Sequence, residues 1–302
     1  MLNKKLFYRS KKHDAALKCS EKIVASDRLW LFSILNSIAI LYLGLVWKTT
    51  ANIDYLVTDV MFWAAIIWLL WKKRDKLSYD SDPISNFIGL SLLGLVLSKA
   101  ITIYNFESVL ISLLPIISLF ALALIASGFK GLKQYAKELF FAWFLFFPTG
   151  VIGHFIDDRF HITILNAKVA TYLLYYLGFN VVSQNNEVIL SLPELGVFKA
   201  IVDYPCAGVP MILLILKLAL LTICCLSPNR KQQILIPSFS LVLGFMLGVL
   251  RVSILTLLIP SESQFEYWHG SQGSQVFSTL AIIIFSVFSY QMLQKDRPSI
   301  IN

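Results

Sequence analysis

Three side chains in this sequence could share one reaction: the thiol of Cys206, the guanidinium of Arg251 and the imidazole of His269. Cys206 sits in "VDYPCAGVPMILLILKLALL" (202–221), at the mouth of a long apolar run. Pro205 suits a first helical turn and Asp203 a cap, a setting in which unpaired amides and the positive end of a helix favour a thiolate. Packing also accounts for many small cysteines in apolar helices. Arg251, in "GFMLGVLRVSILTLLI" (244–259), is a fixed charge about seven residues, roughly 10 Å, from the outer end of its run. Its fork could hold a thiolate or the oxyanion of a tetrahedral intermediate; its bland reading is a snorkelling arginine. His269, in "YWHGSQGS" (267–274), precedes the last apolar run. A helix N-terminus there would keep the ring neutral for work as a base, although an interfacial histidine bonded to a neighbour looks the same.

Two other groupings compete. "HFIDDRFH" (154–161) sets His154 and His161 seven apart with Asp157 between them, one face of a helix and all of them zinc-ligand types. A metal-dependent membrane hydrolase would use these with His269 and leave Cys206 incidental. Lys99 and Lys217 lie inside apolar runs, where charges often mark transport pathways, so a non-enzymatic transporter is the other alternative. Neither an internal repeat nor a pair of broken helices accompanies them.

The elements that must position these groups are membrane helices. Of 302 residues 57% are hydrophobic and only 15% charged, too little polar surface to cover a soluble chain. Apolar runs long enough to cross about 30 Å of hydrocarbon recur. Eight are expected, near 29–47, 52–71, 84–103, 108–127, 138–155, 207–226, 234–258 and 273–293. Lysine and arginine gather at alternate junctions: eight in residues 1–28, then "KKRDK" (72–76), "FKGLKQYAK" (129–137), "NRK" (229–231) and "QKDR" (294–297). Such residues resist translocation, so both termini are expected in the cytoplasm. The other junctions carry acids, among them Asp54, Glu107, Asp157, Asp158, Glu187, Glu194, Glu262 and Glu266, and should face outward. The net charge of +8 then reflects topology and attraction to lipid, and no basic–aromatic pattern argues for nucleic acid. The organisation expected is a basic arm (1–28), a four-helix region (29–137), a region holding the chemistry (138–293) and a tail (294–302). The fold class expected is all-α and polytopic, with a small outward insertion.

That insertion, 160–203, is the long outward connection. "ILNAKVATYLLYYLGF" (164–179) reads as an amphipathic interfacial helix stopped by Gly178. "NVVSQNNEVILSL" (180–192) reads as a hairpin turning at Asn185 and Asn186, with Val188, Leu190 and Leu192 alternating along a strand. A further strand, "VFKAIV" (197–202), delivers the chain to Cys206. Cys19 falls in the arm, and Cys224 with Cys225 falls at the cytoplasmic end of the sixth run, which leaves Cys206 without a disulfide partner on the outer side. An unpaired thiol facing an oxidising compartment favours a reactive role.

"PCAGV", then an arginine late in the next run, then a histidine opening the last one, resembles the exosortase and archaeosortase family of membrane transpeptidases. The resemblance extends over roughly 138–290, through "WFLFFP" (143–148), "LLYYLGFNVVSQNNEVILSL" (173–192) and the cysteine segment. It implies that Cys206 is the nucleophile and that Arg251 and His269 complete the catalytic set. The implied substrates are exported proteins whose C-terminal sorting signal joins a short motif, a transmembrane helix and a basic tail. The cut end, held as a thioester, would pass to water or to a surface acceptor. The resemblance implies a multi-pass protein of the inner (plasma) membrane with its site on the periplasmic, extracytoplasmic side, and no cofactor. Members usually carry serine after the cysteine and asparagine three residues before the arginine; this chain has Ala207 and Gly248, the alanine being closest to the cyanobacterial members.

Overall fold

A computed structural model describes residues 29–49, 53–102 and 109–294, and divides the chain into two compact units that meet at Phe147 and Pro148. The basic arm with Cys19, the junction acid Glu107 and the tail beyond residue 294 lie outside the described residues.

The first unit holds helices α1 (Leu29–Thr49), α2 (Ile53–Lys73), α3 (Pro83–Thr102), α4 (Val109–Gly131) and α5 (Ala136–Phe146). Asp82 caps α3 by accepting from the backbone N–H and hydroxyl of Ser85, and α3 packs along α4. Beside this cap α4 breaks its helical geometry at Gly128, whose φ of 63° costs a glycine little. The basic end of α2 is tied down by an ion pair from Lys73 to the buried Glu138 of α5, 3.0 Å long.

The second unit holds α6 (Thr149–Phe160), α7 (Ile162–Tyr176), β1 (Val181–Gln184), β2 (Glu187–Leu192), β3 (Gly196–Ile201), α8 (Val209–Leu226), α9 (Arg230–Leu258), α10 (Glu262–His269) and α11 (Ser271–Gln294). The strands form an antiparallel meander in the order β1-β2-β3. Gln184 pairs with Glu187, so the first turn is the two residues Asn185 and Asn186, with Asn185 in the left-handed region at φ 51°. Val188 and Leu190 point inward from β2 and pack on Ala167, Ala170 and Leu174 of α7 and on Val249 and Val252 of α9. Alternation in sequence thus becomes one buried sheet face. Gly178, at φ 92°, ends the α7 region as expected.

Six stretches of the described residues are long and apolar enough to span a membrane: α1, α3, α8, α9, α11 and the run Val109–Phe146 that joins α4 to α5. Eight were expected, and one of those runs is broken for a physical reason. The run at 138–155 is interrupted, because the residue before a proline avoids helical geometry: Phe147 is extended (ψ 137°) ahead of Pro148, so two short helices replace one. The second expected run, 52–71, is the 21-residue helix α2.

Packing of α8 on α9 is set by glycine. A Cβ built on Gly248 would come 2.6 Å from the Gly208 Cα, and one on Gly244 would come 2.6 Å from the Ile212 Cα. The two backbones therefore touch, the close approach that small residues permit between membrane helices. At the two ends of α9 the chain is cross-tied to α11 and its preceding helix. The Asn229–Gln232 capping box opens α9, and Gln232 donates to the Met292 carbonyl of α11 at 2.7 Å. Gly248→Ala and Gly244→Ala must push α8 from α9, and each is expected to destabilise the protein by about 1–3 kcal/mol. Thermal unfolding in mild detergent measures the loss, with Gly150→Ala, where a Cβ meets open space, as the neutral control.

Candidate active site

The turn that carries Cys206 is assembled from the sheet side. β3 leaves at Ile201, and the next residue, Val202, exchanges hydrogen bonds with Asn186 of the hairpin turn, its N–H on the Asn186 carbonyl at 2.9 Å and its carbonyl on the Asn186 amide at 3.3 Å. Tyr204 then lies over Gly153 of α6, donates to the Thr149 carbonyl at 3.2 Å and packs beside the ring of His154 at 4.2 Å. The carbonyl of Asp203 accepts the N–H groups of Cys206 (2.9 Å) and Ala207 (3.0 Å), and Gly208, at φ 72°, caps α8. The helix therefore begins at Val209, with a proline in its first turn at Pro210, three residues later than a helix opened by Pro205 and Cys206 would.

This places the thiol ahead of the helix rather than inside its first turn. Cys206 is buried, and burial pushes its thiol above the ordinary value. The charge of Arg251 pulls it back down, and Asp203 pushes it up again. The resting thiol is held neutral more firmly than the expected helix-dipole argument implied. Cys224 and Cys225 lie at the far end of the 18-residue α8, about 27 Å along the axis, beyond disulfide reach of Cys206.

Arg251 is buried in α9, and its Nη1 donates to the carbonyl of Pro205 at 3.0 Å while its Nη2 donates to the carbonyl of His269 at 3.5 Å. Its Nε–H is buried with no partner. One guanidinium thus joins the cysteine turn ahead of α8, the final third of α9 and the end of α10. His269 closes α10 instead of opening the last long helix, and enters the cluster through its carbonyl; its exposed imidazole lies nearly parallel to Phe265, 5.2 Å away. Cys206, Arg251 and His269 are accordingly brought to one end of the α8, α9 and α11 bundle.

The competing groupings have structural employment. Asp157 accepts from the N–H of Thr163 at 2.7 Å and from its hydroxyl, capping α7, and His161 is the left-handed corner between α6 and α7. Among the described residues no three or more histidine, cysteine, aspartate or glutamate side chains gather as a metal site. Lys99 is exposed in the last turn of α3, where a cation complements the helix end. Lys217 is buried in α8, eight residues past its first.

One residue of the site escaped sequence reasoning. Asn166, on α7, is fully buried and donates through Nδ2 to the carbonyl of Ala207 at 2.7 Å. Its Oδ1 has no partner and lies 3.2 Å from where a Cβ on Gly248 would be. A buried acceptor left unpaired costs about 1–3 kcal/mol, and the amide satisfies one, the carbonyl of Ala207, while leaving another, its own Oδ1, so the two terms roughly offset each other. The signal was an amide on the face of α7 that also carries Ala167, Ala170 and Leu174, where the other buried polar residues, Thr163 and Thr171, are hydroxyls.

The family model described as transmembrane exosortase matches residues 47–286. This chain belongs to the transmembrane exosortase family. No curated protein and no solved structure matches it. The match reaches back from the region of the site through α4, α3 and α2, well beyond the 138–290 that the motifs alone suggested. Membership identifies a multi-pass membrane protein of a family of sorting-signal transpeptidases.

The geometry makes a prediction for this exosortase-family thiol. Thiolate is the form that reacts with alkylating reagents, and its fraction rises with pH. Arg251→Ala removes the influence that lowers the Cys206 value while burial and Asp203 remain, so the midpoint of Cys206 alkylation should move to higher pH and the rate at neutral pH should fall. Site-resolved mass spectrometry of iodoacetamide adducts against pH, in the intact protein, checks this.

Proposed function

We propose that the protein is a membrane-embedded cysteine transpeptidase or protease that removes the C-terminal sorting signal of exported proteins. The observation that carries this reading is the guanidinium of Arg251, buried beside the cysteine turn and bonded at once to the backbone of Pro205 and of His269. A fixed cation is costly in an apolar helix unless function retains it.

In this mechanism the imidazole of His269 turns from its place beside Phe265 toward the cysteine turn, Cys206 gives its proton to that ring, and the thiolate attacks the scissile carbonyl. The tetrahedral oxyanion takes the unpaired Nε–H and the charge of Arg251, a preorganised donor in a water-poor site. Collapse breaks the C–N bond, the imidazolium protonates the departing amine, and the acyl group remains on Cys206 as a thioester. The released piece is the signal's helix with its basic tail. Water then completes proteolysis, or an acceptor amine completes transfer. The resting thiol suits such a cycle: it stays protonated until a substrate and the base are in place.

The same reading sets the site on the extracytoplasmic side of the plasma membrane, with both termini in the cytoplasm. A substrate whose basic tail stays inside presents its scissile bond at the outer surface, where the α8–α9–α11 end with Cys206 would lie.

Co-expression with a protein carrying a motif, an apolar helix and a basic tail tests the proposal. Wild type should remove the tail, Cys206→Ala should remove none, and Arg251→Ala and His269→Ala should each slow cleavage by about 10²–10⁴-fold. Cleavage by the cysteine variant at the wild-type rate sinks the mechanism; loss of cleavage on adding a chelator to wild type would return the case to a metal. A membrane-impermeant maleimide added to intact cells should label Cys206.

A further inference from the structure

We propose that Asn166 is a positioning residue for Cys206, holding the carbonyl on the C-terminal side of the nucleophile while Arg251 holds the one on its N-terminal side. The two contacts are symmetrical about the cysteine. Pro205 immediately precedes it, and its carbonyl accepts from Arg251 of α9 at 3.0 Å. Ala207 immediately follows it, and its carbonyl accepts from Asn166 of α7 at 2.7 Å. The peptide planes on both sides of Cys206 are thus fixed by side chains of two different helices, and those planes set the direction of its Cα–Cβ bond. Neither carbonyl belongs to the regular hydrogen bonding of a strand or of α8, which begins at Val209. Without the two side chains the turn would be defined from within by the carbonyls of Asp203, which accepts from Cys206 and Ala207, and of Tyr204, which accepts from Ala207 at 3.3 Å.

The surroundings are built to admit the amide. Gly248 leaves the volume beside Asn166 open, and Gly208 lets the turn lie directly on α9. The orientation of the amide follows from its partner, since a carbonyl oxygen only accepts, so Nδ2 must face Ala207 and Oδ1 must face away. Oδ1 is then buried and unpaired. An apolar side chain of the same bulk would fill the site but exchange one orphaned acceptor, Oδ1, for another, the carbonyl of Ala207. An amide kept under those terms is placed for its one donated bond, and that bond lands next to the nucleophile.

This inference rests on the proposed role of Cys206, and its test separates the two. In the full-length protein in detergent, Asn166→Leu preserves volume and removes the donor. Because it trades one unpaired buried acceptor for another, it should unfold within a few degrees of wild type. It should remove a tripartite tail about 100-fold more slowly, the effect of a reacting group displaced by about an ångström. Cys206 alkylation should shift to higher pH, in the same direction as for Arg251→Ala, and combining the two substitutions should shift it little further. Burial bears most on the thiol, followed by Arg251 from α9 and Asp203 from its own turn, so a change at the neutral residue 166 acts by moving the thiol relative to these surroundings. Cleavage within threefold of wild type, or an unmoved alkylation profile, overturns the proposal. Should the leucine variant not fold, Asn166→Ala provides the same two readouts. The alkylation arm needs no substrate: a shifted profile in a protein that cleaves no tail would retain the positioning role and discard the enzymatic reading.

Discussion

A guanidinium buried among apolar helices is the constraint on which the second unit depends. Arg251 cannot lose its charge, and at about 10 Å from the end of α9 it cannot easily reach bulk water. Its solution is to collect carbonyls that no helix or strand uses, those of Pro205 and His269. Those two carbonyls exist at hand only because α8 starts late, at Val209, and because α10 ends at His269. The irregular backbone around the cysteine and the charge in α9 therefore satisfy one another. Non-helical backbone at this depth is tolerated where protein supplies its hydrogen bonds.

The rest of the unit holds those irregular pieces in register. The meander, through the Asn186–Val202 bonds, fixes where the chain enters the cysteine turn. The rings of Tyr204 and His154 and the carbonyl of Thr149 fix the next step. Glycines at 208, 244 and 248 bring α8 against α9 closely enough for Arg251 to reach across. The Phe239–Phe288 stack, with rings 3.7 Å apart, and the Gln232–Met292 bond hold α11 along α9. Each tie is modest, and together they leave the thiol one place to be.

Much of this was legible in sequence where a residue's meaning is local. Asn185–Asn186 between alternating apolar residues specified the first hairpin, and Gly178 specified the end of α7, because φ preferences act within a few residues. Cys206, Arg251 and His269 were singled out because a cysteine at the mouth of an apolar run and a charge inside one are anomalies of composition, and the structure ties the backbone beside the cysteine and that of His269 to the one guanidinium. What escaped was set by tertiary contact or by competition between signals. Hydropathy carried a single helix across Pro148, where backbone sterics made two. His269 was assigned to the opening of the last helix because the eight polar-rich residues of α10 lack the apolar stripe that reveals a helix. Asn166 was invisible because its partner, the Ala207 carbonyl, is 41 residues away and is a backbone atom with no letter of its own.

The glycine at 248 also bears on which sequences can share this architecture. The space above it is claimed first by the backbone of Gly208, whose Cα would lie 2.6 Å from an added Cβ, and only then by the amide oxygen of Asn166 at 3.2 Å. Trimming Asn166 alone would therefore leave no room for a side chain at 248. A chain with a larger residue there must carry the cysteine turn farther from α9, and its arginine would have to reach farther for the carbonyl of residue 205.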